Sequence, residues 1–269
     1  MVGLLMWKKT KGGPGRGEGA RRTVLGLPMA VVTVENPGRG SELFLRRRVR
    51  KACKRLRRLG VRQVILPKDF RFSTVVEETG LQPVPTEPLR QRLAAKLVEA
   101  ALADRGVTGS CVEIAVSAVR LTGEVVRTVT ELCLRYRYVT LSVPGGGGAL
   151  AERLRREYGV ALRLEPPGKG AAAAVYFDPD PVGEASPVCL RLWEPGRWEE
   201  VLLPPEQEAE LPPEADRGQL LSALVQAGAV SAGQLRVGRG GYGNGKKVYD
   251  LSKIAALDNS QTTPYNTKL

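Results

Sequence analysis

Four consecutive glycines, Gly145–Gly148, stand between an alternating apolar run at 138–143 and a helix-forming stretch at 149–158. A backbone without side chains lets a phosphate come close, and the helix that follows adds free N–H groups and the positive end of its dipole. Gly146, Gly148 and Ala151 keep the spacing of the permissive G-x-G-x-x-A dinucleotide motif. Glu165 follows Gly146 by 19 residues, where an acid would receive a ribose hydroxyl. Ser117 ends the apolar run 112–118 and could hydrogen-bond a ligand at the same sheet edge. Gly145, Gly146, Gly147, Gly148, Ala151, Glu165 and Ser117 therefore form the expected anion or cofactor site, with NAD(P) or another nucleotide as its ligand. The plain alternative is a flexible turn with no cofactor.

A second group is cationic. After Glu42 come Arg46, Arg47, Arg48, Arg50, Lys51, Lys54, Arg55, Arg57 and Arg58. Like charges at i,i+4 cost helix stability, and a merely solvated face would mix signs. Arg46, Arg47, Arg50, Lys51, Lys54, Arg57 and Arg58 are the expected nucleic-acid contacts. In that reading Arg46, Arg50, Arg57 and Arg58 point outward unpaired and join residues 8–22 in one patch. Residues 1–70 carry 18 Lys/Arg against 4 Asp/Glu, so the net excess of +13 lies in the first quarter of the chain. Only Trp7, Phe44 and Phe70 are aromatic there, which does not suggest a base-stacking platform. The alternative partner for these cations is the chain's own acidic segment 194–216, with eight acids against Arg197.

Other chemistry is excluded or set aside. The sequence has no histidine, which removes Ser-His-Asp triads, Cys-His dyads, HExxH zinc sites and imidazole bases. Cys53, Cys111, Cys133 and Cys189 contain no CxxC pair and read as small buried hydrophobes, so no metal site is expected. Asp178-Pro-Asp180-Pro reads as a turn. Gly238–Lys246 matches both GxGxxG and the start of a P-loop, but Lys247 replaces the Ser/Thr and no helix follows. No stretch approaches the ~20 apolar residues of a membrane span. A cytoplasmic protein with reduced thiols is the default expectation.

The elements that must position these residues alternate. Strands are expected at 31–35, 61–66, 112–118, 138–143 and 160–164. Helices are expected at 41–60, 74–79, 86–105, 122–136 and 149–158. Thr74 with Glu77 and Asp216 with Gln219 have capping-box spacing. Continued strand–helix alternation predicts a mostly parallel sheet between helical layers. The runs 171–177, 188–193 and 199–203 suggest an antiparallel extension or a small β subdomain. The unit 138–159 resembles Rossmann-type nucleotide domains over about 30 residues, roughly one βαβ unit. The expected fold is α/β: a Rossmann-like, three-layer, mostly parallel sheet with a smaller C-terminal α+β part. The expected organisation is a basic disordered arm at 1–27, an α/β core at 28–166, a small α+β extension at 167–237 and a mobile tail at 238–269.

Three functions follow, in order of preference. The first is an α/β binding or regulatory protein, without catalysis, holding a nucleotide or other anion at 145–149. The second is a nucleic-acid-associated protein using the basic arm and helix. The third is an NAD(P)-dependent oxidoreductase, for which Lys or Tyr would have to supply the proton.

Overall fold

The computed structural model describes residues 1–9, 20–36, 42–164, 170–179, 186–194 and 198–238. It is an α/β fold, as expected, but its strands form two five-stranded sheets where the alternation predicted one.

The first sheet is built from β1 (Val2–Lys9), β2 (Ala20–Val24), β3 (Leu27–Asn36), β4 (Gln63–Ile65) and β5 (Gln82–Pro83), in the order β2-β3-β1-β4-β5. All neighbours are parallel except the β2–β3 hairpin. The hairpin turns at Leu25 and Gly26, both at positive φ. Residues 1–9 are thus not part of a disordered arm: β1 is the central strand. Its Leu4 and Leu5 are fully buried on opposite faces, as the two-residue period of a strand requires. Helices α1 (Glu42–Arg58) and α2 (Ser73–Glu78) cover the Leu5 face through Val49, Cys53, Leu56, Val75 and Val76. Gly3 permits this approach, since a Cβ there would sit 2.9 Å from Val61 Cγ1. The Thr74–Glu77 capping box does not form, because α2 begins at Ser73 and has no side-chain cap. The predicted helix 86–105 is split at Leu93 into α3 (Glu87–Arg92) and α4 (Ala94–Asp104).

The second sheet comprises β6 (Glu113–Ser117), β7 (Tyr138–Ser142), β8 (Leu162–Arg163), β9 (Ala173–Tyr176) and β10 (Val188–Arg191), interspersed with α5 (Gly123–Cys133) and α6 (Gly147–Tyr158). Its order is β10-β9-β6-β7-β8 and every pair is parallel. Counted from its own first strand this is 3-2-1-4-5, the Rossmann order. The runs expected to make an antiparallel extension, β9 and β10, instead continue this parallel sheet. Residues of α4, α5 and α6 share one cluster against Ile114, Val116, Val139 and Leu141. The opposite face carries Ala115, Ala171, Ala174 and Tyr176.

The chain then returns to the first sheet. β11 (Val201–Leu202), α7 (Pro205–Glu208), α8 (Arg217–Gln226) and β12 (Arg236–Val237) complete the described residues. β11 and β12 pair antiparallel. Val201, Leu203, Leu211 and the apolar residues of α8 pack on the Leu4 face, together with Leu89 and Leu93. Asp216 caps α8 by accepting the Gln219 N–H at 2.8 Å. The Gln219 side chain does not return the bond: it accepts the Leu66 N–H at 2.8 Å and so docks the helix on the end of β4. The expected tail from residue 239 lies outside the described residues.

Candidate functional site

In a 3-2-1-4-5 sheet the first and fourth strands run to helices or loops on opposite sides, leaving a crevice beyond their carboxyl ends. Here those strands are β6 and β9. Ser117 ends β6 and is 9% exposed. Its carbonyl accepts the Phe177 N–H at 3.0 Å, which ties the two strand ends together. The loop that follows, Ala118 to Thr122, contains no glycine. One of its amides is already committed, because Asp178 Oδ2 accepts the Val119 N–H at 2.7 Å. Asp178 thus serves as a backbone anchor; Asp180 lies outside the described residues. Thr122 caps α5 through Val125 N at 3.3 Å.

The tetraglycine follows β7, one strand away from the crevice. Its four members differ in what they do. Gly146 is the N-cap of α6 at φ +80°, and a Cβ there would lie 3.1 Å from Leu121 Cδ2. Gly147 is buried, and a Cβ would meet Leu164 at 3.0 Å and Val143 at 3.2 Å. These two glycines are needed by the packing alone. Gly145 and Gly148 are exposed, and a Cβ at either meets nothing within 4 Å. The loop therefore sits against the β6–α5 loop through Leu121 and presents two bare glycines at the start of a 12-residue helix. Ala151 lies a turn further on, beside a cavity of about 380 Å³ lined by Glu152, Arg155, Ala161 and Leu162. The structure brings Ser117 and the tetraglycine to one sheet edge, and separates Ala151 from them. Glu165 lies outside the described residues.

The cations of α1 are placed differently from the expectation. Arg46 and Arg50 are not free: both hold the Glu78 carboxylate, Arg46 at 3.1 Å. The Arg50 hydrogen bond, with the charges of Arg46 and Arg50, keeps that carboxyl below the ordinary glutamate range. Arg48 Nη1 donates to the Glu35 carbonyl at 3.2 Å. Arg57 Nη1 donates to the Thr79 carbonyl at 2.7 Å. Arg47, Lys51, Lys54 and Arg58 are exposed. Of the arm expected beside them, 10–19 lie outside the described residues. Among the described residues, Val201, Leu203 and Leu211 of the acidic segment pack on the far face of the first sheet from α1. Glu208 of the same segment is taken by Arg217, at 2.5 and 2.8 Å.

Two of the cysteines are buried and two, Cys111 and Cys189, are exposed, so the uniform burial expected of the four does not hold. Burial pushes the Cys53 thiol up to about 11 and the Cys133 thiol to about 12, leaving both protonated. No group of three potential metal ligands occurs among the described residues, and none of their helices is long and apolar enough to cross a membrane. One residue without a sequence signal is Arg90 on α3. It is 8% exposed, and its Nη1 has no hydrogen-bond partner among the described residues.

No family model and no curated protein matches the chain. Among solved structures, an L-tryptophan dehydrogenase from Nostoc punctiforme aligns at 15% identity with a TM-score of 0.26, over 55% of this chain and 44% of that one. A shikimate 5-dehydrogenase-like protein aligns at 13% identity with a TM-score of 0.22, over 65% of this chain and 64% of that one. The chain spans less than two thirds of the length of either. The fold assignment rests on the strand order itself.

Proposed function

We propose that this chain is a binding protein for a nucleotide or another phosphate-bearing small molecule, taken at the carboxyl edge of the second sheet. The observation that carries the reading is the pair of uncrowded glycines, Gly145 and Gly148, at the start of α6 on the carboxyl edge of a 3-2-1-4-5 parallel sheet. The phosphate goes to the start of α6, because Gly145 and Gly148 leave the backbone open there. The first crossover loop, which carries the glycines in dinucleotide-binding domains, has none here and has already committed the Val119 amide. That favours a site shifted by one strand, with Ser117 and the 145–148 loop as its two polar sides. NAD(P) is one candidate ligand of such a site, and hydride transfer would be a property added to binding.

The test is a thermal-shift screen with mono- and dinucleotides and inorganic phosphate, since a ligand of the folded state raises Tm by mass action. Gly148→Glu is the matched variant. It adds a carboxylate in open space at a helix N-terminus, where acids are tolerated or stabilising. The expected result is a Tm increase for the parent chain that Gly148→Glu abolishes with its own Tm intact. No response to any ligand at millimolar concentration removes the reading.

A further inference from the structure

The cationic face of α1 is not used by the site on the second sheet, and its geometry is that of a groove. Arg50, Lys54, Arg57 and Arg58 line one wall of a cavity of about 570 Å³, with Glu78 and Thr79 on the other. Arg46, Arg50, Lys54 and Arg58 recur every four residues, which sets them about 6 Å apart along the helix axis. We propose that this groove binds the phosphodiester backbone of a nucleic acid, with Glu78 occupying the anion seat when the chain is free.

Three observations support it. First, the guanidiniums are arranged before any ligand arrives. Arg57 is held by the Thr79 carbonyl over Gly80, where a Cβ would come within 2.7 Å of its Nη1. A side chain at Gly80, which also has φ +76°, would push that guanidinium aside. Second, Arg46 and Arg50 already converge on one carboxylate, an arrangement that suits a phosphate equally well. Among the described residues Lys54 and Arg58 carry no ion pair, and both open on the same groove. Third, the described apolar residues of the acidic segment, Val201, Leu203 and Leu211, pack on the other side of the first sheet from α1. A lipid surface is a poorer match. The apolar face of α1 is spent on the core, and Leu43 and Phe44 at its start, 70% and 64% exposed, stand at the opposite end from Leu59, 46% exposed, so they make no continuous apolar face for insertion.

The experiment is a fluorescence-anisotropy titration of the full chain with a labelled oligonucleotide, as a single strand and as a duplex, over a range of salt. Binding at low salt is expected for at least one form, with the slope of log K against log salt giving about 0.7 per neutralised phosphate on a single strand and about 0.9 on a duplex. Lys54→Glu with Arg58→Glu should weaken binding by at least roughly tenfold and lower the salt slope, with Tm unchanged. Glu78→Gln should tighten binding several-fold, because it removes the competing charge; a featureless basic surface would gain far less. If the double reversal lowers Tm, Lys54→Gln alone carries the same test. Three results would overturn the proposal: no binding of either oligonucleotide at low salt, unchanged affinity in the Lys54/Arg58 variant, or capture by phosphatidylserine vesicles with none by oligonucleotide.

Discussion

Glu208 and Arg90 are both charged groups drawn out of water, and they fare differently. Burial alone would raise the Glu208 carboxyl, but Arg217 and the Leu203 N–H bond its ionised form and bring it below the ordinary glutamate range. Arg217 also donates to the Trp198 and Val201 carbonyls, at 2.9 and 3.0 Å, so the pair fastens α8 to β11. A lowered carboxyl pKa contributes stability that is present above the unfolded value of about 4.3 and lost as pH falls through the folded one. Glu208→Gln should therefore cost about 1–3 kcal/mol at neutral pH and flatten the acid side of a stability–pH curve, read by urea denaturation. Arg90 has no such compensation. Burial lowers its pKa, opposed only by the charge of Glu194. Arg90→Met should leave stability unchanged or raise it by about 1 kcal/mol, because the thioether fills the space without a buried unpaired donor. A clear loss of stability in that variant would mean that the guanidinium holds a bond in solution.

At the scale of elements, the distance between β1 and α1 is set by the missing side chain at Gly3. Leu56 and Val61 fill the space where its Cβ would stand, with the nearest atoms at 3.2 and 2.9 Å. Gly3→Ala should destabilise by about 1–3 kcal/mol, the usual cost of overpacking a filled core. Val61→Ala in the same chain should recover part of that loss, and a double-mutant cycle on the two positions measures the coupling. The groove on α1 depends on the same spacing, since α1 and α2 are seated together on this face. Gly218 repeats the device on α8, where a Cβ would overlap the Trp198 indole at 2.3 Å from its Nε1.

On the scale of the molecule, the two sheets are joined by α3 and α4. Leu97 of α4 packs against both main clusters. Lys96, one residue earlier, donates to the carbonyls of Ala232, Gly233 and Leu235 at 2.8–3.1 Å. One ammonium thus ties a helix of the second sheet to the segment that closes the core of the first. Lys96→Met should cost about 2–4 kcal/mol, since three carbonyls lose a charged donor. Hydrogen exchange should accelerate first in 229–237, before the strands of either sheet. Uniform acceleration across the chain would place the tie elsewhere.

The sequence by itself determined the α/β class, the helices α1, α5 and α6 to within a few residues, the cap that starts α8, the tetraglycine turn and the cationic face of α1. Each is a local signal: a period of 3.6, a cap such as Thr122 or Asp216, a run of one residue type. What it left open is which strand pairs with which. Val2–Lys9 is short, apolar on both faces and ends in two lysines, so its character as a central strand appears only when β3 and β4 flank it. Strand–helix alternation continues unbroken from 31 to 164 because both sheets follow the same rule, and the boundary falls at the Leu93 break within an apparently continuous helical pattern. Tertiary structure also separated charges that composition suggested would meet, by placing a sheet between α1 and the acidic segment. It set the tetraglycine beside the first crossover loop instead of in it, because order within a parallel sheet is decided by long-range pairing and crossover direction, which no window of sequence contains.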